Sequence, residues 1–156
     1  MRWSDNYMSI ENAQTVLAEL GIQMGIDQLA FNDEGLCSIG LDDFILNMEL
    51  TANGDTLILT AWIATISEDR RSEAALRIAD ANYLFFGTQG ATLGMNRSTG
   101  DVVLAVQLTT ATLTLASLDQ VAENFMNVAE VWQHRLVNED TAPEPPRFDS
   151  SFGLRV

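Results

Sequence analysis

Two runs of alternating residues joined by a tight turn form the most regular pattern in this sequence. Every second residue from Phe44 to Leu50 is apolar, which is the period of a strand with one face on a core. A second apolar run begins after Ala52–Asp55, where Asn53-Gly54 tolerates the positive φ angles of a tight turn. The pattern predicts an antiparallel hairpin over Phe44–Ile66 at the centre of the fold.

Shorter apolar runs on both sides of this hairpin predict further strands. Leu36–Ile39 follows a turn at Asn32–Gly35, and Leu29–Phe31 before that turn is predicted as a short strand. Thr92–Asn96 and Asp101–Leu108 are separated by turn residues, which predicts a second hairpin.

Three segments carry apolar residues at helical spacing. The first is predicted to begin after Ser9 and to stop at Gly21, and the second to run from Ser67 to Gly87. The third begins at a capping box on Ser117 and continues to Leu136. The order α-β-β-β-α-β-β-α predicts an α+β fold, with an antiparallel twisted sheet of about five or six strands and three helices.

The composition changes near the end of the chain. Residues 1–137 are predicted to form one domain, whereas residues 138–156 contain all three prolines together with several acids. Such a segment is typical of a flexible, acidic tail without regular secondary structure.

The charge of the chain limits the kinds of partner that it could bind. The formal net charge is −14, there is no lysine, and Arg2 is the only basic residue within residues 1–66. Because a nucleic-acid-binding surface needs clustered positive charge, such a partner is excluded. The acids either keep the protein soluble or steer a basic protein partner, and the sequence leaves both open. No long apolar run or secretion signal is present, so we expect a cytoplasmic protein without membrane insertion.

Candidate chemistry is sparse. His134 is the only histidine and Cys37 the only cysteine, so neither a zinc site nor a nucleophile with a general base can be assembled with confidence. Acid pairs such as Asp42-Asp43 lie in predicted turns, where solvation explains them. We therefore predict no catalytic residue, no metal and no cofactor, and expect that the protein is not an enzyme.

Apolar residues lie on both faces of one predicted strand. Ile58 and Trp62 alternate with Leu57 and Leu59, yet helices on one side of a sheet cover only one face. Self-association or a client protein would cover the other face, and both are compatible with the pattern.

In this order of elements, size and charge, the chain resembles class I type III secretion chaperones of the Tir chaperone (CesT) family. The resemblance covers roughly residues 9–137, and the longer tail departs from the shortest family members. It rests on six segments of the sequence: Leu17–Gly21, Leu36–Ile39, Leu57–Leu59, Asn82–Phe86, Thr92–Met95 and Leu118–Trp132.

The resemblance implies a bacterial cytoplasmic homodimer that binds the N-terminal region of one or a few secreted effector proteins. It keeps that region non-globular and competent for export, without ATP. The client would be extended, with apolar side chains in grooves and in some cases an added strand at a sheet edge. A dimeric adaptor or regulatory domain without chaperone activity is the alternative.

The resemblance also implies two surfaces. The partner-binding groove is predicted between the first helix and the early strands, at Val16, Leu17, Leu20, Leu29, Phe31, Leu36, Ile39, Phe44, Leu46 and Met48. The dimer contact is predicted on the middle helix and the following hairpin, at Ile78, Leu84, Phe86, Leu93 and Val103.

Overall fold

A computed structural model describes residues 2–137, and the predicted tail at 138–156 lies outside the described residues. Within this range the element order confirms the predicted α-β-β-β-α-β-β-α arrangement. The helices and strands are α1 Arg2–Met24, β1 Leu36–Leu41, β2 Phe44–Leu50, β3 Thr56–Thr65, α2 Arg71–Asn82, β4 Thr92–Met95, β5 Asp101–Thr109 and α3 Leu115–Val137.

The five described strands form one antiparallel sheet in the order β1-β2-β3-β5-β4. Both predicted hairpins are present, and the apolar residues of β2 lie on the buried face as their alternation predicts. α3 packs against β3 and α1 packs against α3, so these two helices share the sheet's buried face.

The first helix is longer than predicted at both ends. It begins at Arg2, so Ser9 lies inside the helix and is not its cap, and it continues past Gly21. Gly21 is buried inside α1, where an added Cβ would lie only 2.7 Å from the Cβ of Leu29. The helix ends at Met24 because Gly25 adopts a φ of 71°. The N–H groups of Gly25 and Ile26 then donate to the carbonyls of Ile22 and Gly21, at 3.2 and 2.8 Å.

Leu29–Phe31 is not a strand, which corrects a second prediction. Leu29 packs at the end of α1, and Asn32 then turns the chain directly into β1.

The last helix begins one turn before its predicted start. The Thr114 hydroxyl accepts a hydrogen bond from the N–H of Ser117 at 3.1 Å, and the Ser117 hydroxyl accepts one from the N–H of Thr114 at 3.0 Å. This reciprocal pair makes Thr114 the cap and places Ser117 inside the first turn.

Arg71 ties the start of α2 to the β4–β5 hairpin. Its guanidinium donates to the carbonyls of Ile66, Arg97, Ser98 and Thr99 at 3.0–3.3 Å. Four carbonyls from the end of β3 and the hairpin turn therefore depend on one side chain.

We expect Arg71→Met to lower the free energy of unfolding by about 2 kcal/mol, because charge-assisted hydrogen bonds are lost. The matched control is Arg77→Met, which removes a half-exposed pair with Glu73 and should change stability by less than about 0.5 kcal/mol. Urea unfolding of both variants measures the difference, and equal losses would contradict the assignment.

Candidate functional site

The two outer strands of the sheet differ in how their outward main-chain groups find partners. An edge strand presents N–H and C=O groups that need a partner or water. On β4, the side-chain amide of Asn82 donates to the carbonyl of Leu93 at 2.8 Å and accepts from its N–H at 3.0 Å. The end of α2 therefore closes the β4 edge at Leu93.

The pairing of β1 with β2 determines which residues of β1 direct their main-chain N–H and C=O groups away from the sheet. The N–H of Leu50 donates to the carbonyl of Gly35 at 2.9 Å, and the antiparallel register pairs Leu36 with Glu49. Hydrogen-bonded pairs alternate along such a ladder, so Leu36, Ser38 and Gly40 direct their main-chain groups away from the sheet.

Most of this edge is open. The main-chain groups of Leu36 already have partners. Its N–H donates to the side-chain oxygen of Asn32 and its carbonyl accepts from the Asn32 N–H, both at 2.9 Å. For the N–H and C=O groups of Ser38 and Gly40, no partner is found within residues 2–137. Both residues are exposed, so a strand could add here.

A second candidate surface lies directly after α2. The side chains of Tyr83, Leu84, Phe85 and Phe86 are between 47% and 66% exposed. Leu84 and Phe85 adopt φ angles of 50° and 60°, which cost on the order of 1 kcal/mol each in residues with a Cβ. The sequence predicts continuous helix here, and the break is therefore a finding of the structure.

A third apolar surface lies on the face of the sheet opposite α1 and α3. Trp62 is 52% exposed and stands opposite Val103, which in turn pairs with Gly94 of β4. This is the surplus of apolar surface that the sequence predicts for this strand.

Asp101 orients the ring of Trp62. Its carboxylate accepts hydrogen bonds from the hydroxyls of Thr65 and Thr99, both at 2.6 Å, and from the Trp62 indole at 3.4 Å. These bonds, with Thr65 contributing most, hold the pKa of Asp101 below its usual value.

Most of the predicted partner-binding residues lie in the core. Leu29 and Phe31 are half-buried, and Leu36 is 39% exposed. The remaining predicted residues pack between α1 and the sheet, so they line no open groove in the described chain: Val16, Leu17, Leu20, Ile39, Phe44, Leu46 and Met48. The role of this region in binding a partner stays a prediction, and Leu29, Phe31 and Leu36 are its accessible part.

The predicted dimer residues divide in the same way. Leu84 and Phe86 are exposed, and Val103 is half-buried on the outer sheet face. Ile78 and Leu93 are buried within the protomer, where they hold α2 against β4.

Sequence reasoning missed the residues that distinguish the two edges. Gly40, inside a strand pattern, is a signal for close approach of another backbone. Asn82 carries no such signal, because its role depends on the position of β4 in the folded sheet.

The described residues offer little for chemistry. Cys37 is buried, and burial raises the pKa of its thiol. Among the side chains that the structure describes, no three histidine, cysteine or acidic groups are placed so that they could hold a metal ion. Neither α1, α2 nor α3 is long and apolar enough to cross a bilayer.

An open sheet edge together with two exposed apolar surfaces defines a protein-binding fold. The chain belongs to the Tir chaperone protein (CesT) family, whose match spans residues 15–133.

Individual relatives agree with this assignment. The transcriptional anti-antiactivator ExsC of Pseudomonas aeruginosa is 29% identical over 142 residues, which cover 90% of this chain and 94% of ExsC. The solved ExsC–ExsE complex superposes with a TM-score of 0.67 at 27% identity, covering 81% of this chain and 95% of the matched chain. The HopA1–SchA chaperone–effector complex gives a TM-score of 0.67 at 20% identity over 81% of this chain and 97% of the other, which shows the shared fold.

We expect Asn82→Ala to destabilise the protein by about 1–3 kcal/mol, because it leaves the N–H and C=O of Leu93 without their partner. Asn124→Ala, on the exposed side of α3, is the matched control and should leave stability within about 0.5 kcal/mol. Chemical unfolding compares the two, and an unchanged Asn82→Ala protein would contradict the role of this side chain.

Proposed function

We propose that this chain is a type III secretion chaperone that acts in the bacterial cytoplasm, without enzymatic activity. It binds the N-terminal segment of one or a few effector proteins and keeps that segment extended and competent for export. The observation that carries the proposal is the open edge of β1 at Ser38 and Gly40, in a chain of the Tir chaperone family.

Main-chain pairing suits a client that is not folded. A strand added at β1 would exchange hydrogen bonds with Ser38 and Gly40 whatever its side chains are. Each such bond contributes only about 1 kcal/mol net, so apolar contacts must supply much of the affinity. Leu36 and Ile45, on the outer face beside this edge, are exposed and available for such contacts.

We expect Gly40→Pro to abolish complex formation with the client, because it removes an outward N–H while leaving the β1–β2 ladder intact. Gly40→Ala keeps this N–H and is the control that should retain the complex.

Co-expression with secreted proteins encoded near this gene, followed by affinity purification, provides the measurement. A stoichiometric complex with the unaltered chain, and loss of the client from the secreted fraction when the gene is deleted, are the expected results. If neither occurs, the chaperone proposal is wrong.

The chaperone is also proposed to be a homodimer. The exposed side chains of Leu84 and Phe86 at the end of α2, together with the half-buried Val103 on the outer sheet face, form the surface for this contact. Self-association would bury side chains that a single chain leaves in water, and would offset the strained backbone after α2.

We expect the unaltered protein to have about twice the 17.1 kDa chain mass by light scattering, and the Leu84→Glu, Phe86→Glu double variant to have the mass of one chain. Ile22→Glu makes the same kind of change at an exposed position of α1 and should leave the mass unchanged. A monomeric unaltered protein would contradict the proposal.

A regulatory role is the second candidate. It is favoured by the similarity to ExsC, a transcriptional anti-antiactivator, over nearly all of that protein's length. Such a role would use the same edge and apolar surfaces to bind a folded protein. Limited proteolysis of the partner alone separates the candidates, because a chaperone's client segment is cut rapidly in the free state and a folded regulator resists.

A further inference from the structure

We propose that the open edge of β1 selects a particular kind of segment. This segment carries one large apolar side chain opposite Gly40 and a basic residue beyond each end of the paired stretch. The inference rests on the proposed function and specifies the chemistry of the client.

The apolar preference follows from the outer face beside the edge. Gly40 pairs with Ile45, which is 60% exposed, and a Cβ added at Gly40 would have no heavy atom within 4 Å. Residues paired across neighbouring strands share a face, so a client side chain opposite Gly40 can extend over it onto Ile45. A large apolar or aromatic side chain fills such a space beside an edge glycine best.

The neighbouring position is polar. The Ser38 hydroxyl donates to the side-chain oxygen of Asn47 at 2.7 Å, and both residues are exposed. A client side chain opposite Ser38 therefore meets a polar pair, which limits the apolar requirement to the position opposite Gly40.

The basic preference follows from the charge at the two ends of β1. Asp33 and Glu34 lie in the turn before the strand, and Asp42 and Asp43 lie in the turn after it, and all four are exposed. No ion-pair partner for them is found among the described residues, and the sequence has no basic residue from Met8 to Asp69. Seven residues separate the two acidic pairs: Gly35 and the six residues of β1, which alone correspond to about 20 Å.

Both turns beside β1 contain a pair of adjacent acids, whereas neither segment beside β4 does. The turn that follows β4 contains Arg97 and no acid, and the segment Gln89–Ala91 before β4 carries no charge. Because both ends of β1 are acidic, a client strand with basic ends is attracted in either direction.

The probe is a fluorescent peptide of about eleven residues with two lysines at each end and alternating valine and threonine between them. Phenylalanine takes the fourth position, which lies opposite Gly40 when an antiparallel peptide places its lysines beside the two acidic pairs. Two comparison peptides replace the lysines with glutamates or the phenylalanine with serine. Anisotropy with the full chain at about 50 mM salt gives the affinities, and repetition at about 500 mM salt screens the charges.

We expect a variant with Asp33→Asn, Glu34→Gln, Asp42→Asn and Asp43→Asn to bind the lysine peptide about tenfold more weakly at low salt. The matched control neutralises four exposed acids on α1 and α3 and should change binding less than about twofold. Its substitutions are Glu19→Gln, Asp119→Asn, Glu123→Gln and Glu130→Gln.

We expect the phenylalanine peptide to bind about tenfold more tightly than the serine peptide, and Ile45→Thr to remove most of this preference. Absence of binding by the lysine peptide, equal binding of the lysine and glutamate peptides, or an equal effect of the two sets of neutralised acids would overturn the inference.

Failure of this inference is distinguishable from failure of the proposed function. Suppose that the chain captures an effector segment, and that the variant with the four neutralised acids beside β1 and the Ile45→Thr variant capture it equally well. The chaperone function then stands and the proposed selectivity is wrong. If no effector is captured but the lysine peptide binds as expected, the selectivity stands and the chaperone function is wrong.

Discussion

Hydrogen bonding of the main chain at the two edges of the sheet is the constraint on which the rest of the structure depends. Asn82 meets it at β4 by bonding both groups of Leu93, which holds the end of α2 beside that strand. On β1, Asn32 forms hydrogen bonds with the outward main-chain groups of Leu36 alone. The fold therefore has one edge that a side chain closes at Leu93 and one whose groups at Ser38 and Gly40 remain available to another chain.

Closing the β4 edge has a consequence for the surface. α2 must stop at Asn82, and the following residues leave helical geometry, so that Tyr83–Phe86 become exposed. Trp132 holds the new path in place by donating from its indole to the carbonyl of Gly87 at 2.8 Å. The same feature that satisfies the main chain of Leu93 is thus followed by an exposed apolar surface.

The features that could be predicted from the sequence are local ones. The hairpin at Asn53-Gly54 and the buried face of β2 follow from the turn residues and from alternation over a few positions. The choice between Gly21 and Gly25 as the end of α1 could not be predicted, because both are glycines and only the fold decides which takes a positive φ.

The candidate surfaces were harder to predict because burial depends on distant elements. Apolar residues such as Leu17 and Leu46 fit a groove or a core equally well by sequence, and the position of α1 on the sheet makes them core. The open edge depends on the strand order and the register of β1, which no local pattern encodes.

Hydrogen exchange of the complex with an effector's N-terminal segment tests the central claim most directly. The account predicts that the amides of Ser38 and Gly40 exchange at least about tenfold more slowly when the segment is bound, because the added strand accepts their hydrogen bonds. The amide of Leu93, already bonded to Asn82, should change little. Unchanged exchange at Ser38 and Gly40 in a complex that protects other residues would contradict the account.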